Sequence, residues 1–378
     1  MHHQPRNTPI SGLESELNSS HKRVLEIIRR NKKATRAQIA KETGLSTQSL
    51  TRLTKQLMQL DLISEHSRVE GHRGQPAIYL TITEKRFCCV GVVFEHDRIT
   101  VVLDDFNCKN ILKFTEHGTF LSAARATKLA QDMLEKLFAT IEDSITVLGI
   151  GVSISGFFMN IEGQICSQQD PVGWSQINFQ AMFAERFNCP CFVENDGNAA
   201  SIGFSQTQEG ATFQSFFLLL FTLDVGGGFV FNGQLVDGAY GNAGEIAALF
   251  NSNASMPRPT IGSLQQYYSD AAAQPTDYGD IEKAIAKGDP IIESWTMSCV
   301  ESMKYPLKAI QSLLDPEAII FAGRLPDALQ KKLSENIHIA APSFGGLTAP
   351  KPTIYVSGGS NILELGVTSI PAFYFFNR

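Results

Sequence analysis

Residues 193–200 read Val-Glu-Asn-Asp-Gly-Asn-Ala-Ala. The stretch follows a short apolar strand candidate, Cys191-Phe192-Val193, and leads into a small-residue run, Ala199 to Gly203, that reads as a helix start. Carboxylates and amides packed at a strand-to-helix junction face a cleft more often than open solvent. A ligand with several hydroxyls needs such a set, because each buried donor or acceptor left unpaired costs about 1–3 kcal/mol. Asn, Asp and Gly are also the ordinary residues of turns, so the weight of the stretch depends on what surrounds it.

A chain of 378 residues is long enough for two or three domains. Its hydrophobic fraction of 43% and charged fraction of 19% are ordinary for a soluble globular protein. No apolar run is long enough to span a bilayer. The amino-terminal MHHQPRNTPISG lacks the apolar core of a secretory signal. Seven cysteines without framework spacing fit a reducing compartment, so a cytoplasmic protein is expected. The net charge of −6 is unevenly spread: residues 1–85 carry 14 Lys and Arg against 8 Asp and Glu, and the remainder carries 18 against 30. A basic head on an acidic body implies that only the head meets a polyanion.

Residues 1–20 read as a disordered tail, and residues 21–83 as a small domain. Val24, Leu25, Ile27 and Ile28 have helical spacing. Thr35 is a good N-cap for a second helix, and Gly44 suits its left-handed terminus. Ser46 caps a third helix that keeps Leu50, Leu53, Leu57 and Leu60 on one side. The opposite side offers Thr47, Gln48, Ser49, Arg52 and Lys55, the types that read base edges and phosphates from a recognition helix. Two strand candidates follow, Leu62-Ile63-Ser64 and Ala77 to Leu80, with Arg73 between them at the tip of a wing. The pattern is a winged helix-turn-helix directed at double-stranded DNA. A three-helix protein-interaction module is the bland alternative, which the charge split and the cationic wing disfavour.

The acidic body shows paired strand candidates at Phe87–Val93 and Ile99–Leu103, a helix over 123–142, a buried strand at 147–154 and a helix near Phe179–Phe187. A second series opens with Phe216–Leu220, the glycines Gly226, Gly227 and Gly228, read as a tight turn, and a hairpin turn at Asn232-Gly233. The two series are compatible with a duplicated α/β lobe enclosing a cleft, with lobes at 86–203 and 204–378 and the carboxyl-terminal stretch returning to the first. Cys189 and Cys191 read as core thiols. Trp174 reads as core packing or as a stacking platform for a sugar, and His117 and His338 have no recognisable partners.

The stretches GVSISGFFMNIEG, DPVGW, VENDGNAA, DVGGGFVFNGQLVDGAYGNAGEIAAL and LLDPEAIIFAG resemble, in order, those of the ROK family of sugar kinases and repressors. With its helix-turn-helix head, the whole chain is similar to the repressor branch. The resemblance implies an actin-like, ribonuclease-H-like double-lobed body with sugar and ATP sites in the cleft. It places Asp196 at the family's catalytic base, Asn195 beside it, Glu245 at the glutamate that grips sugar hydroxyls, and Ser155-Gly156 at a Pro-Gly turn. Gln265 stands where the family's zinc motif ends in Glu, and Ala248 where a His usually follows Glu245. No Cys lies between Cys191 and Cys299, so no zinc is expected.

The phosphate loops of the kinase branch align with Val93–Asp97 and Thr222–Gly228, which place Glu95, Asp97 and Asp224 where phosphate would sit. At about 4 Å and an effective dielectric near 20, each like-charge contact costs about 4 kcal/mol, so ATP is not expected. The reading is a DNA-binding regulator of carbohydrate genes that senses a sugar or sugar phosphate and acts as a homodimer or dimer of dimers. The alternatives are a sugar kinase carrying a DNA-binding head and a body with an empty cleft that only mediates protein contacts.

Overall fold

The computed structural model describes residues 17–67, 78–83, 86–120, 122–142, 144–159, 164–167, 170–250, 256–273, 278–359 and 361–377. The head begins with α1 (Ser19–Arg30), which Asn18 and His21 close in a reciprocal capping box. Helix α1 therefore starts two residues ahead of the expected domain edge, and Leu17 is already buried. Residues 1–16 of the expected tail lie outside the described residues. After β1 (Ala34–Thr35), Thr35 accepts from the Gln38 amide to start α2 (Arg36–Thr43), which ends at Gly44 with φ 72°. Ser46 caps α3 (Thr47–Gln59), whose Leu50, Leu53 and Leu57 are buried against Val24, Ile28 and Ile39. Strands β2 (Ile63–Ser67) and β3 (Ile78–Ile82) pair antiparallel, and β1 joins the far edge of β3. This is a winged helix. Arg73, expected at the tip of a wing, lies outside the described residues.

The first lobe contains β4 (Phe87–Phe94), β5 (Arg98–Asp105), β6 (Asn110–His117), α4 (Ala123–Phe138), β7 (Thr146–Ile154), β8 (Phe157–Phe158), β9 (Ile165–Cys166), α5 (Pro171–Ser175), α6 (Phe179–Phe187), β10 (Cys191–Asn195) and α7 (Asp196–Ser205). The second contains β11 (Phe216–Phe221), β12 (Val225–Phe231), β13 (Gln234–Leu235), α8 (Ile261–Ala272), α9 (Tyr278–Lys287), α10 (Pro290–Leu314), β14 (Ala318–Gly323), α11 (Asp327–Asn336), β15 (Ser343–Phe344), β16 (Leu347–Thr348), β17 (Thr353–Val356) and α12 (Ile362–Asn377). The main sheets have the orders β10-β7-β4-β5-β6 and β13-β12-β11-β14-β17. Numbered within each lobe, both read 3-2-1-4-5: an antiparallel meander followed by two parallel additions. The duplicated lobe is thus realised in the backbone. Helix α4 stops at Phe138, short of the expected 142, where the Thr140 hydroxyl binds the Leu137 carbonyl.

The glycine triplet is not a turn. Gly226, Gly227 and Gly228 lie inside β12, paired with Leu220, Leu219 and Leu218; the turn is Thr222-Leu223-Asp224, one step earlier. Their role is clearance. A Cβ on Gly197, at the start of α7, would come within 2.1 Å of the Gly227 carbonyl oxygen, and one on Gly228 within 2.3 Å of Ser201 Oγ. The first turn of α7 therefore rests directly on the backbone of β12. Asn232 and Gly233, both at positive φ (51° and 74°), form the expected hairpin turn.

Helix α12 returns to the first lobe. It lies over Gly91 of β4 and Gly151 of β7, where an added Cβ would meet Val367 at 2.3 and 2.0 Å. Its Gly366 crosses α7 at Gly203. The carboxyl end of α12 continues into the head, where Lys22 stands over the Phe375 ring and Arg29 over the Phe376 ring.

Candidate functional site

A cavity of about 650 Å³ opens where the lobes meet, at the carboxyl ends of β4, β7 and β10, the end at which open α/β sheets present ligand sites. Asn195 ends β10 and caps α7. Its Oδ1 accepts from the Asn198 amide (2.7 Å) and its Nδ2 donates to Glu245 Oε1 (3.0 Å), so its orientation is fixed from both lobes. Burial raises the Asp196 carboxyl to about 7; a hydrogen bond from Ser155 offsets part of this, and the Glu245 charge adds to it. Burial likewise raises Glu245. Two carboxylates and an amide thus converge on one space, as recognition of several hydroxyls requires.

Ser155, Gly156, Asn195, Asp196 and Glu245 all line this cavity; Gln265 does not. Helix α8 turns Ser263, Gln266, Tyr267 and Asp270 toward it, and at about 100° per residue Gln265 falls off that face. Ala248 lines a separate groove with Tyr305, and Ala247 faces the main cavity.

The positions aligned with phosphate loops are occupied by ion pairs. Arg324, just past β14, binds Asp97 with both terminal nitrogens (2.8 and 2.9 Å) and reaches Glu95 at 3.3 Å, joining the lobes. Burial alone would raise Asp97, but the Arg324 hydrogen bond and charge outweigh it and hold Asp97 below its usual value. Across the cavity, Arg258 binds Asp224 at 2.6 Å. The loop amides are also engaged: Val225 N–H donates to Asp224 Oδ1, and Glu95 N–H donates to the Arg98 carbonyl. Two amides of these loops are thus already occupied. Arg258, Tyr267 and Arg324 escaped the sequence reading, although Arg324 directly follows the apolar run Ile319–Gly323 at the carboxyl end of a parallel strand.

Behind the cavity, Glu194 lies in β10 with its carboxyl raised to about 7 by burial, against the opposing effect of hydrogen bonds from Tyr374 and Asn198. Tyr374 belongs to α12 and also stacks on Phe192. The next two residues, Phe375 and Phe376, meet the head. There Arg29 is 4% exposed, bonded to Glu26 and to Gln206, the C-cap of α7. Both helices that flank the cavity wall, α7 and α12, therefore end on α1.

On the head, Thr47, Gln48, Arg52 and Lys55 of α3 are exposed, and Ser49 is half-buried with its hydroxyl on Ser46. Trp174 is core: it stacks on Phe179 and meets Phe94 edge-on. Cys189 and Cys191 are buried, and burial pushes the Cys189 thiol up to about 12. Among the described residues, no three His, Cys, Asp or Glu side chains are grouped to hold a metal ion, and no helix is long and apolar enough to cross a membrane.

A winged helix on a two-lobed actin-like body, with carboxylates and an amide converging in the interlobe cleft, defines a class: a nucleic-acid-binding head joined to a sugar-kinase-type body. The sequence model of the MarR family matches residues 15–74, and that of the ROK family matches residues 109–253. The chain is 28% identical over 340 residues to "Uncharacterized protein y4fQ" of Sinorhizobium fredii, covering 89% of this chain and 86% of the relative. It is 22% identical over 377 residues to the xylose repressor of Bacillus spizizenii, covering 95% and 96%. A solved ROK family transcriptional regulator, described as a homologue of E. coli MLC protein, superimposes with a TM-score of 0.67 at 16% identity over 95% of this chain and 97% of that one.

Proposed function

We propose that this protein is a transcriptional regulator, a repressor, that binds operator DNA through α3 and the wing and releases it when a sugar occupies the interlobe cavity. The carrying observation is the double attachment of the head: α7 lines the cavity with Asp196 and α12 with Leu363, and both helices reach α1 at their far ends. Similarity to a xylose repressor over nearly the whole length supports the same reading. Asn195, Asp196 and Glu245 hold the sugar, with Ser155 and Gly156 closing the wall. Thr47, Gln48, Ser49, Arg52, Lys55 and Arg73 face DNA. The protein works without ATP or zinc and pairs as a homodimer, so that two heads meet half-sites about one helical turn apart.

Ligand shifts the equilibrium between two states only by its differential affinity for them. A polyol bridging Asp196 and Glu245 favours the arrangement that brings the lobes together, and this displaces the heads. Selection from a random-sequence duplex pool is expected to recover one motif, bound with steep salt dependence. Arg52→Ala is expected to weaken that binding at least tenfold with the melting temperature unchanged. Glu245→Ala is expected to bind the motif as wild type does but to ignore every sugar that releases wild type. A Glu245→Ala protein that still responds would remove the cavity from the reading, and an Arg52→Ala protein of full affinity would remove α3.

A further inference from the structure

We infer that the effector is an uncharged oligosaccharide of at least two rings, its first ring held by Asn195, Asp196 and Glu245 and its second lying along α8. The inference rests on the sugar-sensing reading and narrows it.

Size is the first argument. A single pyranose occupies on the order of 200 Å³ at interior packing density, whereas the cavity measures about 650 Å³. The excess is not spread evenly around the first ring. Helix α8 begins beside the β11–β12 turn, its Ile261 amide bonded to the Thr222 carbonyl, and runs on from there. Its cavity-facing residues, Ser263, Gln266, Tyr267 and Asp270, span two turns of helix, or roughly 10 Å of wall. That wall is long enough for at least one further sugar ring.

Charge is the second argument. The described lining carries five acidic side chains, Glu95, Asp196, Asp224, Glu245 and Asp270, of which burial keeps Asp196 partly protonated at neutral pH, against two guanidiniums, Arg258 and Arg324. Both guanidiniums are already bound to carboxylates. A nucleotide, a sugar phosphate or a sugar acid would enter a field of its own sign without a free cation to meet it. An uncharged ring meets no such barrier, and carboxylates accept from its hydroxyls.

The lining chemistry is the third argument. Tyr267 offers an aromatic body, and Gln266 and Asp270 offer an amide and a carboxylate held together by a 2.7 Å hydrogen bond. An apolar face flanked by polar groups that fix orientation is how a cavity holds a hydroxylated ring.

The test is calorimetric titration of the full-length protein with matched pairs: glucose with maltose, cellobiose and trehalose; xylose with xylobiose; and glucose 6-phosphate as the anionic arm. At least one disaccharide is expected to bind tenfold or more tightly than its monosaccharide, with the phosphate weaker than either. Tyr267→Ala and, separately, Asp270→Ala are expected to remove most of that advantage while leaving monosaccharide affinity within about threefold. Asp270 is exposed, so its variant serves if the tyrosine variant fails to fold. Monosaccharides binding as tightly as any disaccharide, or glucose 6-phosphate binding best, would overturn the inference and leave sugar sensing intact. Binding by no saccharide of either size would overturn sugar sensing itself and this inference with it.

Discussion

Glu194 and Asp196 occupy positions two apart, yet only Asp196 lines the cavity. Asp196 turns into the cavity; Glu194 turns away from it toward Tyr374. Burial raises both to about 7 from ordinary values of 4.5 and 3.8. In the window between those values, the folded chain holds protons that the unfolded chain has released. Their stabilising contribution is therefore complete below about pH 4 and is lost as pH rises through 7. For Glu194 the loss is on the order of 3 kcal/mol. Glu194→Gln is expected to melt with a shallower fall between pH 4.5 and 7.5 than wild type, and the double variant with Asp196→Asn with a shallower one still. Parallel melting curves for wild type and Glu194→Gln across that range would refute the assignment. The polar set of 193–200 was legible from residue type alone. The family resemblance already singled out Asp196, which lines the cavity; the inward role of Glu194 was not legible, because it depends on Tyr374, 180 positions away in sequence.

Between elements, the governing contact is α7 on β12. Gly197 and Gly227 let a helix start rest on a strand with no side chain between them, which places Asn195 and Asp196 within reach of Glu245. Gly197→Ala puts a Cβ against the Gly227 backbone, where a rotamer change gives no relief. The expected cost is about 3 kcal/mol, at the upper end for overpacking, together with loss of sugar binding. Chemical denaturation measures the first and calorimetry the second; a variant of native stability would show that the clearance is not needed. Helix caps were easy to read from sequence, since Thr35, Gly44 and Ser46 act through their nearest neighbours. The glycine triplet was misread for the opposite reason. Its need for glycine comes from α7 and from Gly244, both distant in sequence. The same distance hid Arg258 and Arg324, whose carboxylate partners lie 34 and 227 positions away.

Across the whole molecule, the head is fastened rather than tethered. Arg29 ties α1 to Gln206 and packs its charge against Phe106 and Phe376. Arg29→Met keeps an apolar side chain of similar reach while removing the bond to α7. This variant is expected to bind DNA within about threefold of wild type and to lose most of its release by sugar, as followed by fluorescence anisotropy. Full release in that variant would leave α12 as the sole route. Arg324 makes the corresponding clasp between the lobes. Because the Asp97 side chain is 44% exposed, Arg324→Ala is expected to cost only about 1 kcal/mol of stability; a larger loss on denaturation would mark the pair as structural. The duplicated lobes were legible from repeated strand patterns, whereas the fastening of the head was not, since it uses the far end of the sequence.

That last dependence bears on how the protein is made. The first sheet is laid down by residue 195, but the glycine floor of β4 and β7 stays bare until Val367 arrives, and α1 lacks its aromatic seat until Phe375 and Phe376 follow. At about 5–20 residues per second, the ribosome leaves this surface open for roughly 10–40 s. A nascent chain can complete a winged helix long before the body can restrain it. Sugar control therefore begins only once α12 has docked, and a chain stalled before that point carries a reader of DNA without its brake.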